Sequence, residues 1–423
     1  ISGNESTKSR TTRIFACKIE EDYEFKSADE EFEIHNQPEI QMNQYIQDYK
    51  TNKIMMSENN RYVASLCWIP KFKDLITNNE WYAIMRLQQL LKMLKRRELL
   101  VEYDKKFKEM INGGYIVKTD RSELHYFLPH RPVIKSERST TKLRIVKDGT
   151  FNLKNQTSIN QALYKGVVEA DVMKTLIRFR AKKIGITSDI EKAFWQIKVD
   201  DQDQKYLGLI WIDEYEKFQY FRMTVVPFGL TCSPFILQST IQKHCEDTKL
   251  YPEISNELAS KFYVDDYVNS MDNLPDAIEN KTKIQEILKE ASFNIRKWTM
   301  SGDNVGPVRV LGIWWNPQTD EIYLNEPKFE IPVKITRRFI QSICAKLFDP
   351  LGIIAPVKIL LRELNRKACQ LNLDWDDEVP QEMNDIVQQT IKNIDELFET
   401  IKLRRTIIKS NSILIYCDAS ATA

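Results

Sequence analysis

Two short acidic motifs stand out as candidates for chemistry. In the first, Asp189 closes an apolar, strand-like run and is followed by Ile190, Glu191 and the aromatic pair Phe194-Trp195. In the second, Asp265 and Asp266 interrupt an apolar and aromatic stretch, Phe262-Tyr263-Val264-Asp265-Asp266-Tyr267-Val268. Adjacent aspartates disfavour a strand but fit a tight turn between two strands. Carboxylates brought together repel, and burial raises the cost. A hard divalent cation removes the conflict, since Mg²⁺ prefers oxygen ligands at ~2.0–2.1 Å and keeps waters and substrate phosphates. Two such ions ~3.5–4 Å apart can activate a 3′-hydroxyl and stabilise a leaving pyrophosphate during in-line displacement. Taken singly, each motif has a plainer reading. An Asp after a strand is most often a cap, and an Asp-Asp pair a solvated turn.

The elements that must position these acids are partly legible. Residues 183–187 alternate apolar and polar side chains and read as a strand leading into Asp189; 206–212 and 218–225 read as two more. Residues 261–269 read as the hairpin carrying Asp265 and Asp266. Pro227-Phe228-Gly229 is a rigid turn whose glycine permits close backbone approach. Ser233-Pro234 is an N-cap followed by proline at the first helical position, and a helix with Phe235, Ile236 and Ile241 follows. Further helices are expected over 275–292, 335–348 and 381–400. Upstream, Trp81, Ile84, Met85, Leu87, Leu90, Leu91 and Leu94 fall at helical spacing. The pattern resumes at Leu99, Tyr103, Phe107 and Met110, and Gly113-Gly114 ends it. Its other face, with Lys92, Lys95, Arg96 and Arg97, reads as solvated. The order is mixed α+β, without the strict βαβ alternation of a doubly wound sheet and without internal repeats.

Composition sets the outer bounds. The 423 residues carry 61 Lys+Arg against 60 Asp+Glu, so any nucleic-acid binding must come from local patches rather than a general basic excess. With 42% hydrophobic residues the chain can bury a sizeable core, which argues against global disorder. Seven Cys without a CxxC pair and only four His argue against a zinc module or a disulfide framework. No apolar run approaches the ~18 residues of a membrane helix, so no membrane partner is expected and an intracellular, cytoplasmic location is the default. The chain starts at Ile1 and stops within a strand-like run ending near Asp418, which reads as a piece of a longer polyprotein.

The motifs, in order, resemble the polyprotein of BEL/Pao long-terminal-repeat retrotransposons, and Tyr263-Val264-Asp265-Asp266 resembles the catalytic hairpin of reverse transcriptases. The matching blocks are Phe127-Leu128-Pro129-His130, KLRIVKD at 142–148, SDIEKAFWQI at 188–197 and RMTVVPFGLTCSP at 222–234. After the hairpin come Arg296-Lys297-Trp298, VLGIWW at 310–315, Phe348-Asp349-Pro350-Leu351-Gly352 and Leu373-Asp374-Trp375-Asp376-Asp377. Any one block is weak; the ordered set is specific.

That resemblance implies a right-hand polymerase with fingers, a palm built on an antiparallel sheet, a thumb and a connection segment. It implies that Asp189, Asp265 and Asp266 are the polymerase acids. Asp189 and Asp265 would hold both metals, with the carbonyl of Ile190 as a further ligand and Asp266 in a lesser role. The cofactor would be a pair of Mg²⁺ ions, with Mn²⁺ as a substitute. Arg144 would grip the triphosphate in a fork, assisted by Lys135 or Arg138, while Lys147 reads as surface charge. Phe194 would stand beneath the sugar and exclude a ribose 2′-hydroxyl, with Trp195 as core. Phe228 would line the nucleotide pocket. Gln238 would touch the template, and Gly312 with Trp314 would hold the primer end, unless Trp314 and Trp315 are core residues. Helices around Arg337-Arg338 and 339–348 would form the thumb. Asp418 resembles the first acid of an RNase H site whose other acids are absent, so no RNase H activity is expected.

The expected organisation is a linker over 1–60 after an upstream protease region, a helical lead-in over 61–130 and reverse transcriptase fingers and palm over 131–325. Thumb and connection follow over 326–410, and the start of an RNase H domain over 411–423. The expected activity is RNA-directed DNA polymerisation, with RNA template, DNA or tRNA primer and dNTPs as partners. Protease, RNase H and integrase domains are expected in the full element, which would assemble virus-like particles if active. The competing expectation is a domesticated or decayed remnant that binds nucleic acid without catalysis.

Overall fold

In the computed structural model, which describes residues 39–134, 143–151, 156–168 and 171–407, the strand that ends at the first acid lies inside a sheet. Lys135, Arg138 and Asp418 lie outside the described residues. Residues up to Asp48 belong to a separate N-terminal unit, whose described part is the start of helix α1 (Glu39–Lys53). Within the stretch expected as a linker, 1–60, the structure forms α1 and a short strand, Ile54–Met56. From Tyr49 onward the chain is a single unit, anchored early by Tyr49, whose hydroxyl donates to Ser65 O at 2.5 Å.

The long helix expected over 81–112 is two helices, α2 (Glu80–Arg96) and α3 (Leu100–Asn112). Glu98, at φ 55°, turns the chain between them. The apolar stripe buries Leu87, Leu90, Leu94, Tyr103, Phe107 and Met110, while Trp81 at 63% exposed lies off it. Lys92, Lys95, Arg96 and Arg97 are exposed, as their spacing predicted. Helix α3 packs on a sheet of β1 (Ile116–Lys118), β5 (Gly208–Ile212) and β6 (Phe218–Met223), in the order β1-β6-β5. A separate hairpin, β2 (His130–Ile134) and β3 (Leu143–Lys147), pairs Val133 with Arg144 and His130 with Lys147. His130 is buried in an aromatic cluster with Tyr103, Phe107 and Trp211. It accepts from Tyr103 Oη at 2.6 Å on Nδ1 and donates to Ile210 O through Nε2 at 3.0 Å.

The central sheet is antiparallel, in the order β7-β8-β4-β9: β4 (Ile184–Ile190), β7 (Phe262–Tyr263), β8 (Asp266–Met271) and β9 (Ile295–Met300). Strand β4 runs three residues past the expected 187 and so carries Asp189 itself. Helices α4 (Val172–Arg180) and α6 (Leu274–Glu290) back this sheet, while α5 (Ser233–Asp247) follows the Pro227 turn. Asn273 caps α6 by accepting from Asp276 N at 2.9 Å, with Pro275 in the first turn, which is why the helix begins there.

Beyond β9 a second sheet orders β10 (Val308–Val310), β11 (Ile313–Asn316), β12 (Glu321–Tyr323) and β13 (Leu403–Arg404) in sequence. Helices α7 (Arg337–Lys346), α8 (Ala355–Gln370) and α9 (Gln381–Thr400) pack on it. Helix α8 was not expected; its Pro356 stands in the first turn, where a missing N–H costs nothing. One apolar core joins Leu176, Phe179 and Val268 of the central layer to Trp315 and the α7–α9 helices. Among the described residues no helix is long and apolar enough to cross a membrane.

Candidate active site

Register brings the two acidic motifs together. Strands β4 and β8 pair antiparallel with Asp189 directly opposite Asp266, and directly opposed residues put their side chains on the same face. Asp265 sits in the two-residue turn between β7 and β8, and its carbonyl accepts from Ile190 N at 3.1 Å. The other turn residue, Val264, has φ 58°. A β-branched side chain in that region is strained by ~1–3 kcal/mol, a cost borne where the acids must be aimed.

All three carboxylates are half-buried. Burial and the neighbouring Asp189 charge push the Asp265 carboxyl above the ordinary aspartate range, partly offset by its own backbone N–H, Lys297 and Arg144. Asp189 on β4 and Asp265 in the turn therefore feel each other, and the charge of Arg144 on the β2–β3 hairpin reaches Asp265 too. Among the described residues, no three His, Cys, Asp or Glu side chains are grouped closely enough to hold a metal ion as they stand. The donor set is nonetheless of the right chemistry: hard carboxylate oxygens, of which those of Asp189 and Asp265 repel each other. One oxygen is already engaged, because Lys297 Nζ lies 2.7 Å from Asp189 Oδ2.

Next to the acids, Phe194 and Trp195 lie in a 3₁₀ turn, 193–196, entered through Lys192 at φ 48°. Arg61 holds this turn, donating from Nε to Gln196 O at 2.8 Å and from Nη2 to Trp195 O. Phe194 is 8% exposed and packs on Phe228 of the Pro227 turn. Asn160 fixes that second turn: Nδ2 donates to Gly229 O at 3.0 Å, and Oδ1 accepts from Thr231 N at 3.0 Å. Gly229 needs its glycine, with φ 110° and room for no Cβ, which would lie 2.2 Å from Lys147 O. Arg61 and Asn160 were not anticipated, since nothing in their local sequence marks them. Trp195 is half-buried and lies against Tyr115, with ring centroids 4.6 Å apart.

The remaining anticipated residues fall as follows. Arg144 is exposed on β3. Lys147 is not surface charge: it is 2% exposed, with Nζ 3.6 Å from Met110 Sδ and 5.1 Å from the Trp195 ring centroid. The reason is alternation. Lys147 shares the inward face of β3 with Leu143, and no apolar residue marks it from the sequence alone. Gln238 is half-buried on α5. Gly312, at φ 92°, precedes β11, and a Cβ there would meet the Phe348 ring at 2.5 Å. Trp315 is fully buried against Phe179, while Trp314 is half-exposed under Arg309, with Nε1 donating to Asn325 Oδ1 at 3.2 Å. Arg338 pairs with Asp376 through two bonds of 2.8 and 2.9 Å, and Arg337 lies over Trp375.

Comparison with known proteins adds two family matches. Residues 131–314 match the model described as reverse transcriptase (RNA-dependent DNA polymerase). Residues 336–423 match the Pao retrotransposon-like RNaseH-like domain; the described part of that span is α7–α9 and β13. No curated protein matches. Among solved structures, the chain is similar to the foamy viral protease-reverse transcriptase dRH in complex with double-stranded DNA. The TM-score is 0.50 and the identity 17%, over 68% of this chain and 46% of that one, so this chain spans under half the length of that neighbour. Along the one polypeptide, a match to a reverse transcriptase model is thus followed by a match to a Pao retrotransposon-like RNaseH-like domain.

Proposed function

We propose that this chain is an RNA-directed DNA polymerase that joins a deoxynucleotide to a primer 3′-hydroxyl by two-metal nucleotidyl transfer. The observation that carries the reading is the convergence of Asp189, Asp265 and Asp266 at one end of the central sheet, with the charge of Arg144 falling on Asp265. Asp189, Asp265 and the Ile190 carbonyl would hold the ions, and Asp266 would support them. When bound, divalent ions supply charge that polarises the attacking and leaving oxygens.

The protein's own residues do the rest. Arg144, exposed on the β2–β3 hairpin and with a charge that reaches Asp265, would bind phosphate oxygens through its guanidinium; Lys135 would assist it. Phe194 and Phe228 would form the wall against which the sugar stacks. Gln238, Gly312 and Trp314 would contact template and primer, through backbone and stacking rather than base reading. The fingers and palm would then span 131–325 and the thumb and connection 326–410. An RNA template, a DNA or tRNA primer and dNTPs are the substrates, and the cytoplasm, within a virus-like particle if the element is active, is the location.

Primer extension tests this reading. Incorporation of dNTPs on an RNA template with Mg²⁺, lost in Asp265→Asn, supports it. Nucleic-acid binding without extension would instead favour a decayed remnant.

A further inference from the structure

Strand β9 departs from regular pairing at one place, and that place faces the acids. Arg296 is paired with Asp189 and Thr299 with Thr187, so β9 uses one residue more than β4 over the same stretch. Such a bulge re-aims side chains. In a regular strand Lys297 would point to the face opposite Arg296. Here Lys297 takes φ 56°, a left-handed conformation that a lysine adopts only at a cost. Its ammonium comes to rest 2.7 Å from Asp189 Oδ2.

The flanking residues are firmly held. Arg296 pairs with Glu191 at 2.7 Å, Ser188 Oγ donates to Arg296 O at 2.7 Å, and Asn294 Nδ2 donates to Glu191 Oε2 at 2.8 Å. The guanidinium of Arg296 is thereby committed to Glu191, and Lys297 is left as the cation on Asp189. Its side chain is 62% exposed, against 28% for Asp189, so the ammonium enters from the rim and can leave without disturbing the sheet.

We propose that Lys297 is a built-in competitor for the metal at Asp189: it offsets part of the acid pair's charge in the metal-free protein and must release Asp189 Oδ2 before a divalent ion can bind there. The inference rests on the assignment of Asp189 as a metal ligand. An ammonium is a compact charge on a flexible stem. It holds two repelling carboxylates in place in the metal-free state and raises the ion concentration needed to fill the site.

The test uses the full chain and Mn²⁺ alone, with binding read from loss of the free-ion electron paramagnetic resonance signal and the metal-free melting temperature measured alongside. Lys297→Gln should tighten Mn²⁺ binding by about two- to fivefold, the range set by losing a rim ion pair, and should lower the metal-free melting temperature. Lys297→Arg, which keeps the charge, should leave both close to the parent chain. Mn²⁺ binding unchanged or weakened in Lys297→Gln, with binding still lost in Asp189→Asn, overturns the competitor role and leaves the metal assignment standing. Undiminished Mn²⁺ binding in Asp189→Asn overturns both.

Discussion

The ring of Phe194 meets that of Phe228 edge to face, with centroids 4.7 Å apart and planes at 70°. The two residues come from different elements, the 3₁₀ turn after β4 and the Pro227 turn. The contact buries Phe194 almost fully while leaving Phe228 38% exposed. A wall made of two touching rings acts as a unit, so changes to it should not add. Phe194→Val is expected to raise ribonucleotide relative to deoxynucleotide incorporation by about tenfold. Phe228→Leu is expected to give a smaller change, and the double variant less than the sum. The measurement is the ratio of kcat/KM for matched rNTP and dNTP; a ratio unmoved by Phe194→Val removes that residue from sugar selection.

Asp265→Asn should separate activity from stability. Polymerisation is expected to fall by several orders of magnitude, because the proposed metal ligand loses its charge. The metal-free protein should become more stable. The Asp265 carboxyl is pushed above its unfolded value, so the fold binds its proton more tightly and loses stability as pH rises through that raised value. Asparagine removes this repulsion at neutral pH. A melting temperature for Asp265→Asn below that of the parent chain in EDTA would contradict the account.

Lys147 gives a pH signature of opposite origin. Burial pushes its ammonium down to about 7. The unfolded chain keeps a lysine charged to about pH 10.4, so folding releases a proton between the two values. Stability from this group is therefore full above about pH 10.4 and falls as pH drops to about 7, below which the cost is constant. Lys147→Met, similar in length and apolar, should raise the urea midpoint at pH 7 and flatten its dependence between pH 7 and 10. The gain is on the order of a few kcal/mol at pH 7. An unchanged slope would mean that the amine titrates normally.

Arg405 ties the end of the described chain to the central layer. It is fully buried, with Nε 2.7 Å from Asp320 Oδ1, Nη2 3.0 Å from Asp320 Oδ2, and further bonds to Phe179 O, Lys182 O and Lys183 O. Burial pushes the Asp320 carboxyl up, but Arg405, Trp315 and Ser301 more than offset this and hold it below the ordinary range. Arg405→Ala strands a half-buried carboxylate and three carbonyls, and is expected to cost about 3–5 kcal/mol in denaturant unfolding. In the parent chain, the Asp320 contribution should be lost as pH falls below the ordinary aspartate range. A loss under 1 kcal/mol would mark the contact as an ordinary surface pair.

What the sequence determined by itself was local and chemical. The alternation leading into Asp189, the Asp-Asp interruption of an aromatic run, the proline in the first turn of α5 and the α9 periodicity each follow from residues near one another in the chain. Ser233, expected as the N-cap of α5, is instead its first helical residue behind Cys232 and donates from Oγ to Pro227 O at 2.7 Å. Tertiary structure decided which residues those elements would meet. Lys147 looks like any strand lysine until the inward face of β3 packs on Met110 and Trp195. Lys297 reaches Asp189 only because a bulge turns it, and Arg405 becomes a buried anchor only once β13 pairs with β12. Side-chain period and turn chemistry are written in consecutive residues, whereas a bulge or a buried charge is set by the partner strand that happens to lie opposite, and no local spacing encodes that partner.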